Sequence, residues 1–300
     1  MRDRMRHVLI SGLVVAALCF AGGLATSQPV RFGLFADLHA HDIDSPLEQK
    51  WMTNTEERLL SFTQEMNEVA VDFTVQLGDF VNGWVVLGTD PGDPYRIPDI
   101  LAWADSLYAT YAGPRFHVIG NHDVYNLDKA QICEILGLGA TYHSFSVGGF
   151  HFVVLDVQYD QEGQDLAYTY TGVYGFVPTE ELDWLRADLA TVAPVPTVVF
   201  VHQRLDEHPN ESGRTTVFNQ AAVQSELTAA GNVIAVLQGH DHQNAYSEID
   251  GIHYVTFEAL VDQGGTPPSW ALITLDPQSQ TIVIDGTGEQ VDRTLSYDVR

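Results

Sequence analysis

Residues 115–123 read Arg-Phe-His-Val-Ile-Gly-Asn-His-Asp, and this stretch decides the fold of the chain. Its apolar start predicts a short strand over Arg115–Ile119, and Gly120 permits a tight turn directly after it. The turn carries an amide at Asn121, an imidazole at His122 and a carboxylate at Asp123. Two kinds of metal-binding side chain beside a titratable acid indicate metal chemistry more strongly than a single histidine would.

Four other polar clusters follow predicted buried strands in the same way. In chain order they are Asp37-Leu38-His39 after Val30–Ala36, Gly78-Asp79 after Phe73–Leu77, His202 after Thr197–Val201, and Gly239-His240-Asp241-His242 after Val233–Leu237. Ligands of α/β sheets bind in the crevice at the carboxyl ends of the strands. All five clusters are therefore expected to converge on one site.

The side chains in these clusters suit a pair of hard or borderline metal ions. Residues two apart on an extended chain point to one face, so Asp37 with His39 and His240 with His242 are each predicted to act together. Carboxylate, imidazole and amide oxygen ligands suit manganese, iron or zinc. A lone D-x-H or H-x-H is more often a solvated strand end or a core histidine, so the ordered recurrence after five strands is what favours a metal site.

The remainder of the chain alternates strands with helices and predicts one α/β domain with a mixed-sheet core over residues 28–300. Helices are predicted after the capping-box pattern Thr53-Asn54-Thr55-Glu56 and over Pro98–Tyr111, Thr179–Leu189 and Asn219–Ala230. A hairpin is predicted where Gly148-Gly149 joins Tyr142–Val147 to Phe150–Asp156, and further strands over Ile252–Phe257, Trp270–Leu275 and Thr281–Asp285. The segment Gly83–Pro98 is expected to be an inserted loop.

The first 27 residues have the layout of a secretory signal peptide. Three arginines precede the apolar run Val8–Ala21, and small residues follow it through Ala25. An uncleaved anchor is the alternative, because Val8–Ala25 is just long enough to span a bilayer. We therefore expect a secreted or periplasmic protein, or else a membrane-anchored one with its domain outside the cytoplasm.

Composition limits the partners of the chain. The net charge is −26, and Lys50 and Lys129 are the only lysines. Such a surface repels nucleic acid and anionic membranes, so large polyanionic partners are not expected. Cys133 is the single cysteine after the first 27 residues, so the domain is expected to rely on its core and its metals instead of a disulfide.

The ordered motifs D-x-H, G-D, G-N-H-D, H and G-H-x-H resemble the motif set of the calcineurin-like metallophosphoesterases, from about Arg31 to Ile252. The resemblance implies a metallophosphatase sandwich of two mixed β-sheets flanked by helices. It implies that Asp37, His39 and His242 bind one metal ion, that Asn121, His202 and His240 bind a second, and that Asp79 bridges the two. It also implies that His122 is the catalytic histidine and that Asp123 orients it.

The same resemblance implies hydrolysis at a dinuclear centre. Two metal ions about 3.5–4 Å apart would clamp a phosphate and lower the pKa of a bridging water, which attacks phosphorus in line with the leaving group. His122 would stabilise the transition state or protonate the leaving oxygen, and Asp123 would favour the cationic form of His122.

Stretches outside the metal motifs look like the manganese-dependent ADP-ribose/CDP-alcohol diphosphatases. They are Tyr174-Gly175-Phe176, Glu181–Leu185, Gly251–Tyr254 and Glu258–Val261. That subfamily commonly carries glutamine where this chain has His39, which makes the metal site more like that of a general phosphoesterase. Purple acid phosphatases carry a tyrosine ligand where this chain has Asn82, so their coloured iron site is not expected.

The resemblance thus implies a phosphohydrolase that uses manganese, with iron or zinc as alternatives. The expected substrate is a small molecule with a phosphoanhydride or phosphodiester bond, such as a nucleoside diphosphate linked to a sugar or an alcohol. A general phosphomonoesterase, a cyclic-nucleotide phosphodiesterase and a metal-binding scaffold without activity are the alternatives.

The remaining histidines and aromatic residues have simpler interpretations. His117 and His151 are expected in the core, His41 and His208 in solvated loops, and His253 beside the Gly239–His242 turn. Trp84, Tyr95, Phe176 and Tyr246 would stack on a nucleobase if they face the site, although ordinary packing is the simpler expectation for each.

Overall fold

The computed structural model describes residues 28–45, 50–83, 96–168, 175–206, 216–263 and 267–299. The predicted signal segment, residues 1–27, lies outside these ranges, and so does most of the predicted loop Gly83–Pro98. Among the described residues, no helix is both long and apolar enough to cross a membrane.

Two mixed sheets of six strands each form the centre of the structure. In chain order, the strands of the described residues are β1 (Val30–Phe35), β2 (Lys50–Trp51), β3 (Phe73–Gln76), β4 (Arg115–His117), β5 (His143–Val147), β6 (Phe150–Val154), β7 (Thr197–Val201), β8 (Val233–Gln238), β9 (Ala245–Ile249), β10 (Ile252–Thr256), β11 (Asp262–Gln263), β12 (Trp270–Asp276), β13 (Thr281–Thr287) and β14 (Arg293–Ser296). The first sheet has the order β14-β13-β12-β1-β3-β4 and the second β5-β6-β7-β8-β10-β9, while β2 and β11 form a separate ribbon. The predicted sandwich of two mixed sheets is confirmed.

Parallel strands at the centre of each sheet direct the metal-binding loops to one edge. In the first sheet β1 is parallel to β3, and β3 is parallel to β4. In the second sheet the parallel run is β6, β7, β8 and β10. Parallel strands end at the same edge, so the loops after β1, β3 and β4 emerge together, as do those after β7 and β8.

The two sheets pack against each other through phenylalanine side chains. Phe32 of β1 stacks on Phe73 at 4.7 Å between ring centroids, and it meets Phe152 and Phe200 of the second sheet edge-on at 5.8 Å each. All four side chains are fully buried. Burying one such side chain stabilises a fold by about 1.5–3 kcal/mol, so this core holds the strands in place beneath the site.

Helices cover the outer faces of both sheets. In the described residues they are α1 (Thr55–Val69), α2 (Ile97–Tyr108), α3 (Lys129–Leu136), α4 (Thr179–Val192) and α5 (Gln220–Ala230). The first pair packs on the first sheet, where Phe62 and Tyr108 contact Phe35. Helices α4 and α5 cover the second sheet through apolar residues that include Leu185 and Leu227.

The start of α1 differs from the predicted capping box over Thr53–Glu56. A 3₁₀ turn, Met52–Asn54, precedes the helix, and the N-cap residue Asn54 makes no side-chain capping hydrogen bond. Thr55 is the first helical residue, and its hydroxyl donates to the carbonyl of Met52 at 2.6 Å. The 3₁₀ turn therefore moves the N-cap from the predicted Thr53 to Asn54. The hydroxyl of Thr55 forms a hydrogen bond within this turn and does not cap the helix.

Candidate metal centre

Hydrogen bonds from main-chain N–H groups connect the ligand-bearing loops after β1, β3, β7 and β8. The N–H of Asp37 donates to the carbonyl of Gly78 at 3.1 Å, which ties the loop after β1 to the loop after β3. In the second sheet, the N–H of Gly239 donates to the carbonyl of His202 at 3.0 Å. The two sheets are linked across the site because the N–H of His240 donates to Asp37 Oδ2 at 3.0 Å.

Five of the predicted ligands adopt a left-handed backbone conformation. They are Asp37 (φ 53°), His39 (φ 47°), Asp79 (φ 51°), His240 (φ 71°) and His242 (φ 54°). The expectation that the D-x-H and H-x-H pairs lie on extended chain is therefore wrong. The left-handed conformation costs an L-residue about 1–2 kcal/mol, which the surrounding contacts must offset.

Two glycines permit the close approach of these loops. Gly78 has a φ of 97°, and a Cβ there would lie 2.5 Å from His202 Nδ1. A Cβ at Gly120 would lie 2.2 Å from Asp79 Oδ1. Both separations are far below van der Waals contact, so a side chain at either position would push the ligands apart.

A first group of candidate ligands consists of Asp37, His39, Asp79 and His242. His39 Nε2 lies 2.9 Å from His242 Nε2, and His242 Nε2 lies 3.3 Å from Asp37 Oδ1. His39 Nε2 is also 3.6 Å from Asp79 Oδ2. One ligand atom from each of the four residues lies within 4.8 Å of the others.

A second group shares Asp79 and adds His202 and His240. His202 Nε2 lies 3.3 Å from Asp79 Oδ1 and 3.1 Å from His240 Nδ1. The predicted amide ligand joins this group, since Asn121 Oδ1 is 3.1 Å from His202 Nε2. Asp79 therefore presents one carboxylate oxygen to each group, which is the geometry of a bridging ligand.

The two groups fit a pair of divalent cations. Each combines carboxylate and imidazole ligand atoms that lie within 4.8 Å of one another, and most of these residues are buried. Two nitrogens bound to one ion at about 2.1 Å lie about 3 Å apart when they subtend a right angle, which is close to the spacing between His39 and His242. Unprotonated imidazole nitrogens this close repel each other unless a proton or a cation lies between them.

Hydrogen bonds behind the ligands fix which imidazole nitrogen faces the site. His39 Nδ1 is 2.9 Å from Asn82 Oδ1, and His202 Nδ1 is 2.8 Å from the carbonyl of Leu77. Both partners are acceptors, so each Nδ1 carries the proton and each Nε2 presents a lone pair to the candidate ion. The sequence indicated only that Asn82 is not a tyrosine ligand, and the support it provides to His39 was not predicted.

Tyr125 orients the amide ligand. Asn121 Nδ2 donates to the Tyr125 hydroxyl at 2.6 Å, and this contact directs Asn121 Oδ1 towards the second group. An amide without such a partner has no preference between its oxygen and its nitrogen at this position. Tyr125 follows the Gly-Asn-His-Asp motif by two residues, and only its place in the structure reveals the role.

Burial and neighbouring charges set the protonation of the cluster. Burial and the ammonium of Lys50 hold the pKa of both His39 and His122 well below the ordinary value. His202 differs, because the facing carboxylate of Asp79 outweighs burial and raises the pKa of His202 to about 9. A proton must leave His202 before Nε2 binds an ion, so protons and cations compete for this group.

His122 lies beside both ligand groups. Its backbone N–H donates to Asp79 Oδ1 at 2.7 Å. Its ring meets the ring of His39 edge-on at 4.5 Å between centroids, and it lies 4.6 Å from the ring of Tyr125. The His122 imidazole therefore borders the ligand groups without belonging to either.

Asp123 does not orient His122, contrary to the prediction. Its two carboxylate oxygens accept hydrogen bonds from the N–H groups of Val81 at 2.9 Å and Gly120 at 2.8 Å. His122 Nδ1 is buried and has no hydrogen-bond partner among the described residues. Asp123 instead fastens the loop after β3 to the loop after β4, and burial raises its own pKa to about 7.

Four further histidines, outside the ligand groups, contact other parts of the protein. His117 and His151 are buried, as predicted, and His151 Nε2 lies 2.8 Å from Asp188 Oδ2. His41 is buried and its Nδ1 accepts the N–H of Ile43, so the expectation of a solvated residue is wrong. His253 contacts the carbonyl of Ser296 and the hydroxyl of Tyr246. His208 lies outside the described residues.

The candidate stacking residues occupy different places. Phe176 lines a cavity of about 340 Å³ together with Phe218 and Tyr159. Tyr246 is partly exposed, and its ring stacks on that of His253 at 6.1 Å between centroids. Trp84 and Tyr95 lie outside the described residues.

Paired ligand groups at the carboxyl ends of the strands of a mixed β-sandwich indicate a dinuclear metal centre, which suits metal-assisted hydrolysis. The family model for calcineurin-like phosphoesterase matches residues 30–244. The chain belongs to the calcineurin-like phosphoesterase family, and the resemblance of its motifs is confirmed.

Individual relatives are similar over most of the chain. A manganese-dependent ADP-ribose/CDP-alcohol diphosphatase from Xenopus laevis is 25% identical over 89% of this chain and 90% of its own. A 3′,5′-cyclic-nucleotide phosphodiesterase from Nostoc sp. is 26% identical over 76% of this chain and 77% of its own. The crystal structure of a dimetal phosphatase from Danio rerio is similar in fold, with a TM-score of 0.72, 21% identity, and coverage of 90% of this chain and 99% of that one.

Proposed function

We propose that the protein hydrolyses the phosphoanhydride bond of small nucleoside diphosphates linked to a sugar or an alcohol, with two manganese ions bound. The observation that carries this proposal is the extent of similarity to the Xenopus diphosphatase. It covers 89% of this chain and 90% of the relative, and therefore extends well beyond the residues that bind metals. The ligand groups around Asp79 supply the site that the chemistry requires.

The spacing of the ligand groups supports the ligand roles that the motifs imply. Asp37, His39 and His242 would hold one ion, Asn121, His202 and His240 would hold the other, and Asp79 would bridge them. The bound ions would supply positive charge to the phosphoryl oxygens and lower the pKa of a water. The protein holds these loops together through main-chain N–H groups, such as those of Asp37, Gly239 and His240.

His122 is proposed to act as a hydrogen-bond donor to the phosphoryl group. Burial and the ammonium of Lys50 hold the pKa of His122 low, so the neutral imidazole is the form present near neutral pH. A neutral imidazole carries one N–H and is a poor proton donor. We propose that His122 stabilises charge that develops on a phosphoryl oxygen, since its ring lies beside His39 of the first ligand group. Protonation of the leaving oxygen is the alternative role.

A substrate panel tests the proposed function. The purified protein is stripped of metal, reloaded with Mn²⁺ and supplied with ADP-ribose, CDP-choline, cyclic AMP, bis-nitrophenyl phosphate and nitrophenyl phosphate. We expect kcat/KM for ADP-ribose or CDP-choline to exceed the values for both nitrophenyl esters by at least about tenfold, because contacts to the nucleotide add binding energy in the transition state. Mg²⁺ and Zn²⁺ loading serve as the metal controls.

Cyclic-nucleotide hydrolysis is the second candidate function, because the Nostoc phosphodiesterase is 26% identical over 76% of this chain. A preference for cyclic AMP over both diphosphates would favour that function and contradict the first. Comparable rates on every ester in the panel would indicate a general phosphoesterase. Absence of turnover on the whole panel by protein with two bound Mn²⁺ would contradict both specific proposals.

We further propose that the N-terminal segment exports the protein. The support is its composition, with three arginines ahead of the apolar run Val8–Ala21. We expect protein expressed in a bacterial host to be recovered outside the cytoplasm, with a new N-terminus near residue 28. Recovery of the uncleaved chain in the membrane fraction would indicate the anchor instead, and an uncleaved soluble protein in the cytoplasm would contradict export.

A further inference from the structure

Lys50 lies inside the metal centre, although no motif includes it. Its ammonium is 3.4 Å from His39 Nδ1 and 3.5 Å from His39 Nε2, so it lies over the imidazole ring. The side chain is only 7% exposed. Its backbone is held by two hydrogen bonds with Ser45, at 3.0 and 2.9 Å, and by the pairing of β2 with β11.

The position of Lys50 is unusual for this chain. The only other lysine, Lys129, forms ion pairs with Asp156 and Asp165 at 2.7 Å each. Lys129 therefore has a structural role that is evident from its carboxylate partners. The ammonium of Lys50 lies within 3.5 Å of both ring nitrogens of His39, which is a candidate metal ligand.

A buried ammonium beside a metal centre raises the positive charge of that centre and weakens the binding of a cation. The repulsion between the ammonium and the cations is offset when the centre binds an anion with more than one charged group, because the ammonium and the cations can then each contact a different group. A lysine ammonium offers three donors and acts as a point charge, which suits a phosphate oxygen. A diphosphate provides a second anionic phosphate beside the reacting one, whereas a cyclic nucleotide or an aryl diester does not.

We propose that Lys50 binds the non-reacting phosphate of a diphosphate group and thereby selects diphosphates over substrates with a single phosphate. This inference rests on the proposed function only in that the natural substrate is taken to be a diphosphate. Lys50 holds the second phosphate on the His39 side of the centre, and the ions that the ligand groups would bind hold the first. The residue binds substrate, and no proton transfer is assigned to it.

Direct binding tests the inference without turnover. Titration calorimetry on the manganese-loaded protein, with Mn²⁺ in excess, compares methylene diphosphonate with orthophosphate. We expect Lys50→Gln to weaken binding of the diphosphonate by about tenfold or more and binding of orthophosphate by less than about threefold, because only the former loses a charged hydrogen bond. Lys50→Arg should restore most of the affinity, since it retains the positive charge.

Kinetics provide a second, independent readout. In Lys50→Gln, kcat/KM for ADP-ribose is expected to fall at least about tenfold more than kcat/KM for bis-nitrophenyl phosphate. Manganese content and melting temperature of the same variants establish that the ligand set and the fold persist.

Two results would overturn the inference. Equal losses for the diphosphonate and orthophosphate would mean that Lys50 acts on the reacting phosphate, and loss of Mn²⁺ would mean that it supports the ligands. Failure of the proposed function is a separate result, visible when the wild-type protein shows no preference for ADP-ribose or CDP-choline. The diphosphonate comparison still tests Lys50 in that case, because it requires no natural substrate.

Discussion

Replacing Asp79 with asparagine is expected to abolish both metal binding and hydrolysis. Asp79 presents Oδ2 to His39 and Oδ1 to His202, so one carboxylate serves both ligand groups. An amide has one oxygen and lacks the negative charge, so it cannot bridge two cations in this way. Mutation of a residue that only hydrogen-bonds to a metal ligand lowers metal affinity by about 10–100-fold. Because Asp79 is itself a candidate ligand, we expect its replacement to lower metal affinity by more than about 100-fold.

Metal content after gel filtration and kcat on a nitrophenyl ester measure this effect. Asp188→Asn is the matched control, because Asp188 also accepts hydrogen bonds, from Ser144 at 2.7 Å and His151 at 2.8 Å, but lies on α4 outside the ligand groups. The control variant should retain both ions and near-normal turnover. If Asp79→Asn retains two equivalents of Mn²⁺, the carboxylate is not the bridge.

His122→Ala is expected to reduce kcat by about 10²–10³-fold, which is the usual effect of removing one donor to a developing anion. Metal content should not change, because the His122 ring lies beside the ligands while only its backbone N–H contacts Asp79. Steady-state kinetics and metal analysis on the same preparation measure both quantities. A variant with nearly normal kcat would remove His122 from the reaction.

The acidity of the leaving group distinguishes the two possible roles of His122. A donor to a phosphoryl oxygen predicts the same loss of kcat for aryl diesters whose leaving phenols differ in acidity. A general acid predicts a loss that grows as the leaving phenol becomes less acidic, because a poor leaving group needs the proton most. We expect the first result, in line with the proposed role of His122 as a hydrogen-bond donor.

The location of the site was predictable from the sequence because the ligands follow the carboxyl ends of parallel strands, which lie at one edge of a sheet. Each of the five clusters follows an apolar run, and parallel strands necessarily end together. The structure accordingly brings Asp37, Asp79, His202 and the other predicted ligands within hydrogen-bond or ion-pair distance of a neighbour. The sandwich, which the structure confirms, was also predictable, because strands buried on both faces appear in the sequence as continuous apolar runs.

Elements at the margins of the fold were not predictable. Strands β9 and β14 alternate between half-buried and exposed residues at the edges of the sheets, so neither has a continuous apolar run. Helix α3 spans only Lys129–Leu136, which is too short for a periodic pattern. Its start nevertheless carries a real capping box, formed by Asp128 and Gln131.

The details of the site depend on contacts between distant parts of the chain. Asp123 binds the N–H of Val81, which is 42 residues away, so adjacency to His122 in the sequence was misleading. Lys50 is 11 residues from His39, and no spacing rule connects the two. Such contacts follow from how the loops are tied together, and that information is absent from local sequence patterns.

The left-handed backbone at five of the ligands restricts which amino acids can serve there. Among residues other than glycine, asparagine, aspartate and histidine are the ones that enter this region several times more often than average. All five positions are aspartate or histidine. Glutamate and cysteine also bind metals, but neither shares this conformational preference. The backbone conformation therefore limits which metal-binding side chains fit these positions, whichever metal ion is bound. Exchanging ligands to accept a different ion would therefore require rebuilding the loops as well as the donor atoms.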